Sequence, residues 1–528
     1  MNVCVEDAEC CVLRVSDEWG VMSTGVPSGR QHEARSTEQW LVATRYSSLP
    51  YSSAVYQPMR RLLLSLAALA LAACPSSQRS ATEEGSAPAA QGAGAASADT
   101  AFHPAWSRTA AIYEVNVRQY TPEGTLAALE QHLPRLQQLG VDILWLMPVQ
   151  PIGVKNRKGG LGSYYSIADY TAINPEYGTE ADFRHFVDAD HRQGLKVILD
   201  WVPNHTAFDH EWATSHRDYY DLRPDGSMRN ARDNEGKETD WTDVAELNYA
   251  NAEMRRAMIG EMRWWVDSMN VDGFRCDVAG GVPADFWVDA RRQLKAAKPD
   301  LFLLAEAESP AMHAAFDMTY GWELHHLLNE ISTGKRSTAE LDRYFARQDT
   351  LYGSGAYRMY FTSNHDENSW QGTEFERMGA NHVPAFVLSA TAARGMPLLY
   401  TGQEVSLNKR LRFFEKDTVD WSGPSLADFY RALFDLKERQ PALANGPWGG
   451  AQTPLRTNGG DRVYAFTRTR DANTVLVAVN FGDAPVRVAY QGLAQPGEYT
   501  DWFAKSKVPL AATGSLDIPA HGYRVLVR

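Results

Sequence analysis

Cysteine is scarce in this chain. Five occur in 528 residues (Cys4, Cys10, Cys11, Cys74 and Cys276), and three of them fall in the first eleven positions. No disulfide framework is evident in that distribution. Positive charge is also in deficit. The 52 Lys and Arg stand against 65 Asp and Glu, and the net charge of −13 disfavours a general nucleic-acid-binding role. The apolar run from Leu62 to Ala73 is too short to span a bilayer comfortably. What remains is ordinary: 44% hydrophobic and 22% charged residues, as in soluble globular proteins, in a length that suggests more than one domain.

The stretch that organises the rest is Gly273-Phe274-Arg275-Cys276-Asp277-Val278-Ala279. It is apolar around two charges and follows the turn-like Val271-Asp272, which predicts a buried strand. Residues two apart on a strand share a face, so Arg275 and Asp277 look into one cavity and Cys276 faces the other way as a small packing residue. An arginine beside an aspartate favours the ionised carboxylate, as a nucleophile requires. The alternative reading of this stretch alone is a structural ion pair at a strand end.

Three further apolar runs also end in acid. Lys196 to Leu199 leads to Asp200 and on to Asn204-His205; Leu301 to Ala305 leads to Glu306; Arg358 to Ser363 leads to Asn364-His365-Asp366. Helix-like segments separate them. Polar residues at the C-terminal ends of successive strands are how a parallel (β/α)₈ barrel builds an active site. Several carboxylates converging with one arginine point to acid–base and nucleophilic work on a sugar bond. The 15 Trp and 23 Tyr fit that reading, since carbohydrate sites use aromatic faces, although most such rings serve as core.

These four runs resemble the signature regions of the α-amylase family, glycoside hydrolase family 13: Asp200-Trp-Val-Pro-Asn-His205, Gly273-Phe-Arg-Cys-Asp277, Leu304-Ala-Glu306 and Asn364-His-Asp366. They follow the family's order and spacing, and the resemblance covers roughly residues 106–528. It implies a retaining mechanism: Asp277 as nucleophile, Glu306 as acid and then base, and Asp366 bonded to sugar hydroxyls in the distorted transition state. Arg275 would keep Asp277 ionised, Asp200 would orient Arg275, and His205 and His365 would donate to sugar hydroxyls. Tyr165, four residues before Asp169, is similar to the family's sugar-stacking tyrosine. Ser166 stands where exo-acting relatives carry aspartate, which favours an open cleft. Asn248 closes a stretch similar to the family's fifth region and leans instead toward neopullulanase-like or oligosaccharide-processing enzymes. The resemblance thus implies a hydrolase of α-1,4 bonds in α-glucans, with neopullulanase-type or transglycosylase action as the alternative and a non-catalytic glycan-binding lipoprotein as a remote one. No cofactor is required and no metal ligand is assigned. Calcium stays open, because Asn204 matches a common family ligand whereas Gly280-Gly281 replaces the family's Lys-His pair.

Ahead of the barrel, Met59-Arg60-Arg61 and the run Leu62 to Ala73 have the form of a signal peptide, and Leu71-Ala72-Ala73-Cys74 resembles the bacterial lipobox. That resemblance implies lipidation at Cys74, export, and a membrane-anchored protein facing the periplasm or the cell surface. Residues 1–58 then read as an over-extended gene start without regular structure, the alternative being a genuine extension with an internal apolar helix. Residues 59–74 are the signal and lipobox, and 75–105, rich in Ser, Ala and Gly, a flexible linker. The catalytic barrel is expected over 106–445, with a short domain B at about 204–250 after the third strand and a helix over Thr125 to Leu139. Short runs such as Val475 to Val479 predict a C-terminal antiparallel β-sandwich over 446–528. The partners expected are an α-glucan and, through the lipid, a membrane; oligomeric state is left open.

Overall fold

Hydrophobic patterning and caps account for most elements of the computed structural model, which describes residues 102–353 and 355–528. Cys74, the apolar run before it, residues 1–58 and the linker up to residue 101 lie outside the described residues. Among the described residues no helix is long and apolar enough to cross a membrane.

Eight parallel strands close into a barrel. In chain order they are Ile112–Val115, Ile143–Leu146, Lys196–Trp201, Gly273–Cys276, Phe302–Ala305, Met318–Tyr320, Tyr357–Phe361 and Gly395–Tyr400. Each pairs with its sequence neighbours, and the eighth pairs with the first. Ile112, Ile143, Trp145, Ile198, Phe302, Leu304, Met359 and Leu398 fill the interior. Their outward-facing neighbours pack on the surrounding helices, as the two-residue period requires.

The helices carry their own boundary signals. Thr179 caps Glu180–Arg192 in a reciprocal box with Asp182. Asn251 caps Ala252–Met269, which ends at Asn270 in the left-handed conformation. The single helix expected from Thr125 to Leu139 is two short ones, Leu126–Glu130 and Leu133–Leu139. Pro134 enters the first turn of the second helix and has no N–H to continue the first. A helix with no counterpart in the sequence reading, Trp322–Ser332, follows the sixth strand; Leu324, Leu328 and Ile331 bury one face of it.

After the third strand the chain forms a small excursion whose core is an antiparallel pair, His205–Ala207 with Val244–Glu246. Beyond the last barrel helix, Ala427–Arg439, antiparallel sheets of six and three strands face each other across Leu455, Leu476, Val488, Tyr490, Leu516 and Ile518. Strand Asn473–Asn480 is apolar from Val475 to Val479 because both its faces are covered there. Leu476 and Ala478 enter the sandwich core, while Val475, Val477 and Val479 belong to the core shared with the barrel helices.

Phe102 to Arg108 runs beneath the barrel. His103 bonds Asp317 at 3.0 Å and the Gly355 carbonyl at 2.7 Å, just ahead of the sixth and seventh strands. Trp106 donates to the Asp300 carbonyl at 3.1 Å and packs against the interior from its N-terminal end.

Gly273, which opens the fourth strand, has no room for a side chain: a Cβ there meets the Phe302 carbonyl and backbone of the fifth strand. Gly273→Ala is therefore expected to force these two strands apart and destabilise the fold by about 1–3 kcal/mol. Thermal denaturation of the purified variant measures it, and an unchanged Tm would contradict the close approach.

Candidate active site

Register brings the charged residues together. Asp200 on the third strand lies opposite Arg275 on the fourth. The ladder continues past the strand ends, where Asp277 N–H donates to Trp201 O at 2.8 Å and Glu306 N–H to Cys276 O at 2.9 Å. Asp277 and Glu306 thus sit one residue beyond their strands, at the C-terminal mouth.

Arg275 is wholly buried and is the hub. Its Nη1 donates to Asp200 Oδ1 and to Asp277 Oδ1, both at 2.9 Å, and its Nε donates to the Tyr320 hydroxyl at 3.0 Å. Nη2 lies 2.8 Å from Glu306 Oε1, and Glu306 Oε2 accepts the Val278 N–H at 2.8 Å. Val278 has a positive φ of 43°, a conformation uncommon for a β-branched residue. Cys276 points to the outer core.

Arg275 favours the ionised form of Asp277, as expected, but it is not the largest influence on that carboxyl. Burial pushes Asp277 well above the usual carboxylate range, the nearby Glu306 adds to this, and Arg275 opposes both. One guanidinium divided among three carboxylates does not offset their mutual repulsion and burial.

Across the mouth, Asp366 follows the seventh strand with 38% of its side chain exposed, and its Oδ2 lies 3.3 Å from His365 Nε2. The two histidines differ. Burial lowers His205 to about 3, so it is neutral. Burial alone would lower His365 too, but Asp366 and Glu114 outweigh it and raise the ring to about 9. His365 Nδ1 donates to Glu114 Oε1 at 2.5 Å and Nε2 to the Tyr165 hydroxyl at 2.8 Å; that hydroxyl in turn donates to Asp200 Oδ2 at 3.0 Å. Trp145 Nε1 donates to the same oxygen at 3.1 Å. A charge-assisted chain therefore runs from Glu114 through His365 and Tyr165 to Asp200 and Arg275. Glu114, Trp145 and Tyr320 were missed by sequence reasoning. The available signal for Glu114 was a lone acid two residues after Ile112 on the first strand, hence on the same inward face.

Two specificity pointers read differently in three dimensions. Ser166 is buried and donates to the Asp243 carbonyl at 3.0 Å, fastening its loop to the excursion after the third strand. Asn248 accepts the Ala250 N–H of its own turn at 3.1 Å and donates to the more distant Asp218 carbonyl at 3.3 Å. The Asn204 side chain is engaged within the protein. The Asn204 amide nitrogen faces Arg232 O at 2.9 Å and Glu246 Oε2 at 3.3 Å, and that same Glu246 oxygen takes the Arg232 N–H at 2.7 Å. Among the described residues, no group of three or more His, Cys, Asp and Glu side chains is gathered as for a metal ion.

A closed parallel barrel with an arginine-bound set of carboxylates at its C-terminal mouth defines an enzyme of the barrel glycosidase class. The chain belongs to the α-amylase family, glycoside hydrolase family 13: residues 90–442 match the alpha amylase catalytic domain and residues 456–519 its C-terminal all-beta domain. It is 30% identical over 414 residues to alpha-amylase MalA of Haloarcula japonica, an alignment spanning 75% of this chain and 59% of that longer protein. Among solved structures it is similar to an alpha-amylase from Lactobacillus plantarum, with TM-score 0.72 and 30% identity over 80% of this chain and 99% of that one. A noncanonic maltogenic alpha-amylase, AmyB from Thermotoga neapolitana, is similar with TM-score 0.72 and 29% identity over 79% of this chain and 98% of that one.

Protonation of His365, whose pKa lies above its ordinary value of about 6.5, stabilises the folded state fully below that value. The contribution is lost as the pH rises through about 9. Glu114→Gln removes one of the carboxylates that hold the proton. It is expected to lower Tm by roughly 2–4 °C at mildly acid pH, with the gap to the native protein closing as the solution becomes alkaline. Melting curves across pH measure this; a gap independent of pH would show that Glu114 does not act through the His365 charge.

Proposed function

We propose that this protein is a retaining hydrolase of α-1,4-glucosidic bonds in starch-like α-glucans or maltooligosaccharides. The observation that carries the reading is the shared guanidinium. Asp277 and Glu306 contact Nη1 and Nη2 of the same Arg275, an arrangement suited to the roughly 5–5.5 Å separation of a retaining pair. Asp277 attacks the anomeric carbon and forms the glycosyl-enzyme. Glu306 protonates the departing oxygen and then takes a proton from the incoming water. Asp366, exposed across the mouth, holds sugar hydroxyls with the imidazolium of His365 behind it, Nε2 3.3 Å from its Oδ2, and His205 offers a neutral N–H. Asp200 and Tyr165 keep Arg275 and His365 in place. No step calls on a cofactor.

The names of the relatives support an amylase-type activity. Ser166 leaves no carboxylate to close the pocket beside Tyr165. Asn248, the pointer toward neopullulanase-like action, is engaged by the Asp218 carbonyl and the Ala250 N–H. We propose further that the protein is exported and anchored in a membrane through lipid on Cys74, facing the periplasm or the cell surface, a reading supported by the lipobox-like stretch.

A product time course on starch, pullulan and maltoheptaose tests the activity. Starch chains are expected to shorten rapidly, and Asp277→Asn or Glu306→Gln to reduce the rate by roughly a thousandfold or more. Preference for pullulan, or products longer than the substrate, would move the specificity to the neopullulanase or transglycosylase reading. Binding of α-glucan without turnover would make the protein a glycan-binding lipoprotein instead. For the anchor, radiolabelled palmitate is expected to enter the native chain and not Cys74→Ala; equal labelling of both would overturn it.

A further inference from the structure

Among the described residues four large apolar side chains are substantially exposed, and one of these is aromatic: Trp370, at 51%. It lies in the single helical turn Glu367–Gln371 that directly follows Asp366. This turn is clamped to the loop after the eighth strand. Asn368 donates to Lys409 O at 3.0 Å and accepts the Leu411 N–H at 2.8 Å, and Ser369 donates to Leu411 O at 2.9 Å. The clamp brings Phe413 alongside, its ring centre 5.2 Å from that of Trp370. On its other side Phe413 lies 6.1 Å from Tyr165 and within 13° of parallel. The loop after the second strand joins them, with Leu161 N–H donating to Phe414 O at 3.0 Å and Gly160 N–H to Glu415 Oε1 at 2.6 Å. Three loops are thus locked together so that rings run outward from the carboxylate cluster to a tryptophan left in water. The Trp370 Nε1–H has no acceptor among the described residues.

The position in the barrel gives this strip a side. Its loops follow the second, seventh and eighth strands, which lie around the first strand. The fifth strand, which delivers Glu306, is diametrically opposite in the closed order. Glu306 marks where the leaving group departs, so the strip extends the half of the cleft that keeps the glycosyl group. Pyranose rings have apolar C–H faces and hydroxyls at their edges. An exposed ring at the end of a rigid row of rings matches the former while water and rim side chains serve the latter.

We infer that Tyr165, Phe413 and Trp370 form a track for the glycone side of an α-glucan chain, with Trp370 as its outermost contact. This rests on the proposed α-glucan hydrolysis and deepens it: the enzyme grips several sugars on the retained side, so longer chains are better substrates. The test compares kcat/KM for maltoheptaose and maltotriose in the native protein, Trp370→Ala and Trp370→Phe, with melting curves for each. The heptaose-to-triose ratio is expected to fall about tenfold in Trp370→Ala, mainly through KM for the longer substrate, and to recover largely in Trp370→Phe. Should the alanine variant fail to fold, addition of maltoheptaose to Asp277→Asn is expected to perturb tryptophan fluorescence, and to do so less when Trp370→Phe is combined with it. An unchanged ratio, or an equal loss on both substrates, overturns the track and leaves the hydrolase reading standing. Failure of the native protein on every α-glucan overturns that reading itself.

Discussion

A guanidinium with no access to water cannot stand alone. Arg275 is surrounded by Asp200, Asp277 and Glu306, and its Cζ lies 5.0 Å from the Trp145 ring centre and 5.6 Å from that of Tyr320. Removing the carboxylates would leave a buried cation, and removing the cation would leave three crowded acids; either outcome is strongly unfavourable. The mutual dependence fixes the spacing of the two mouth carboxylates through the barrel itself, because the third, fourth and fifth strands must keep register for the pairs to form. Lysine is no equivalent here. One ammonium cannot reach both Asp277 and Glu306 while also meeting Tyr320 from a fixed plane.

Charge in the pocket is deliberately lopsided. Glu114, Asp200, Asp277, Glu306 and Asp366 converge on only two cationic side chains, Arg275 and His365. Burial first, and that excess in addition, push Asp277 up, and the excess keeps the proton on His365 despite burial. It also gives the site a reserve of negative potential matched to the positive, oxocarbenium-like transition state of glycoside cleavage. His205, close to the same mouth but without a carboxylate among the causes of its shift, stays neutral. The two rings therefore offer sugars different hydrogen-bond characters from similar positions in the sequence pattern.

Much of this was legible in the chain. Arg275 and Asp277 two apart on a short apolar run, with Glu306 and Asp366 each closing another, were enough to place the strands and the side on which they end. The β-branched run at Val475 to Val479 announced a strand. What escaped was what depends on closure. Glu114 looks like a lone acid until the barrel brings it to His365, 251 positions away. The direction of the Asp277 shift depends on burial summed over every neighbouring element, whereas the sequence displays only the adjacent arginine. The helix Trp322–Ser332 was hidden behind a three-residue strand, and Pro134 broke a periodicity that otherwise read as continuous. Phe413 and Trp370 lie 43 residues apart in loops whose meeting no local pattern foretells.

The strap from Phe102 to Arg108 has a geometric consequence. His103 and Trp106 fasten it to the N-terminal ends of the strands, the pole of the barrel opposite the carboxylates. Phe102, where the described residues begin, therefore lies at the back of the barrel, and the strap leaves the mouth clear.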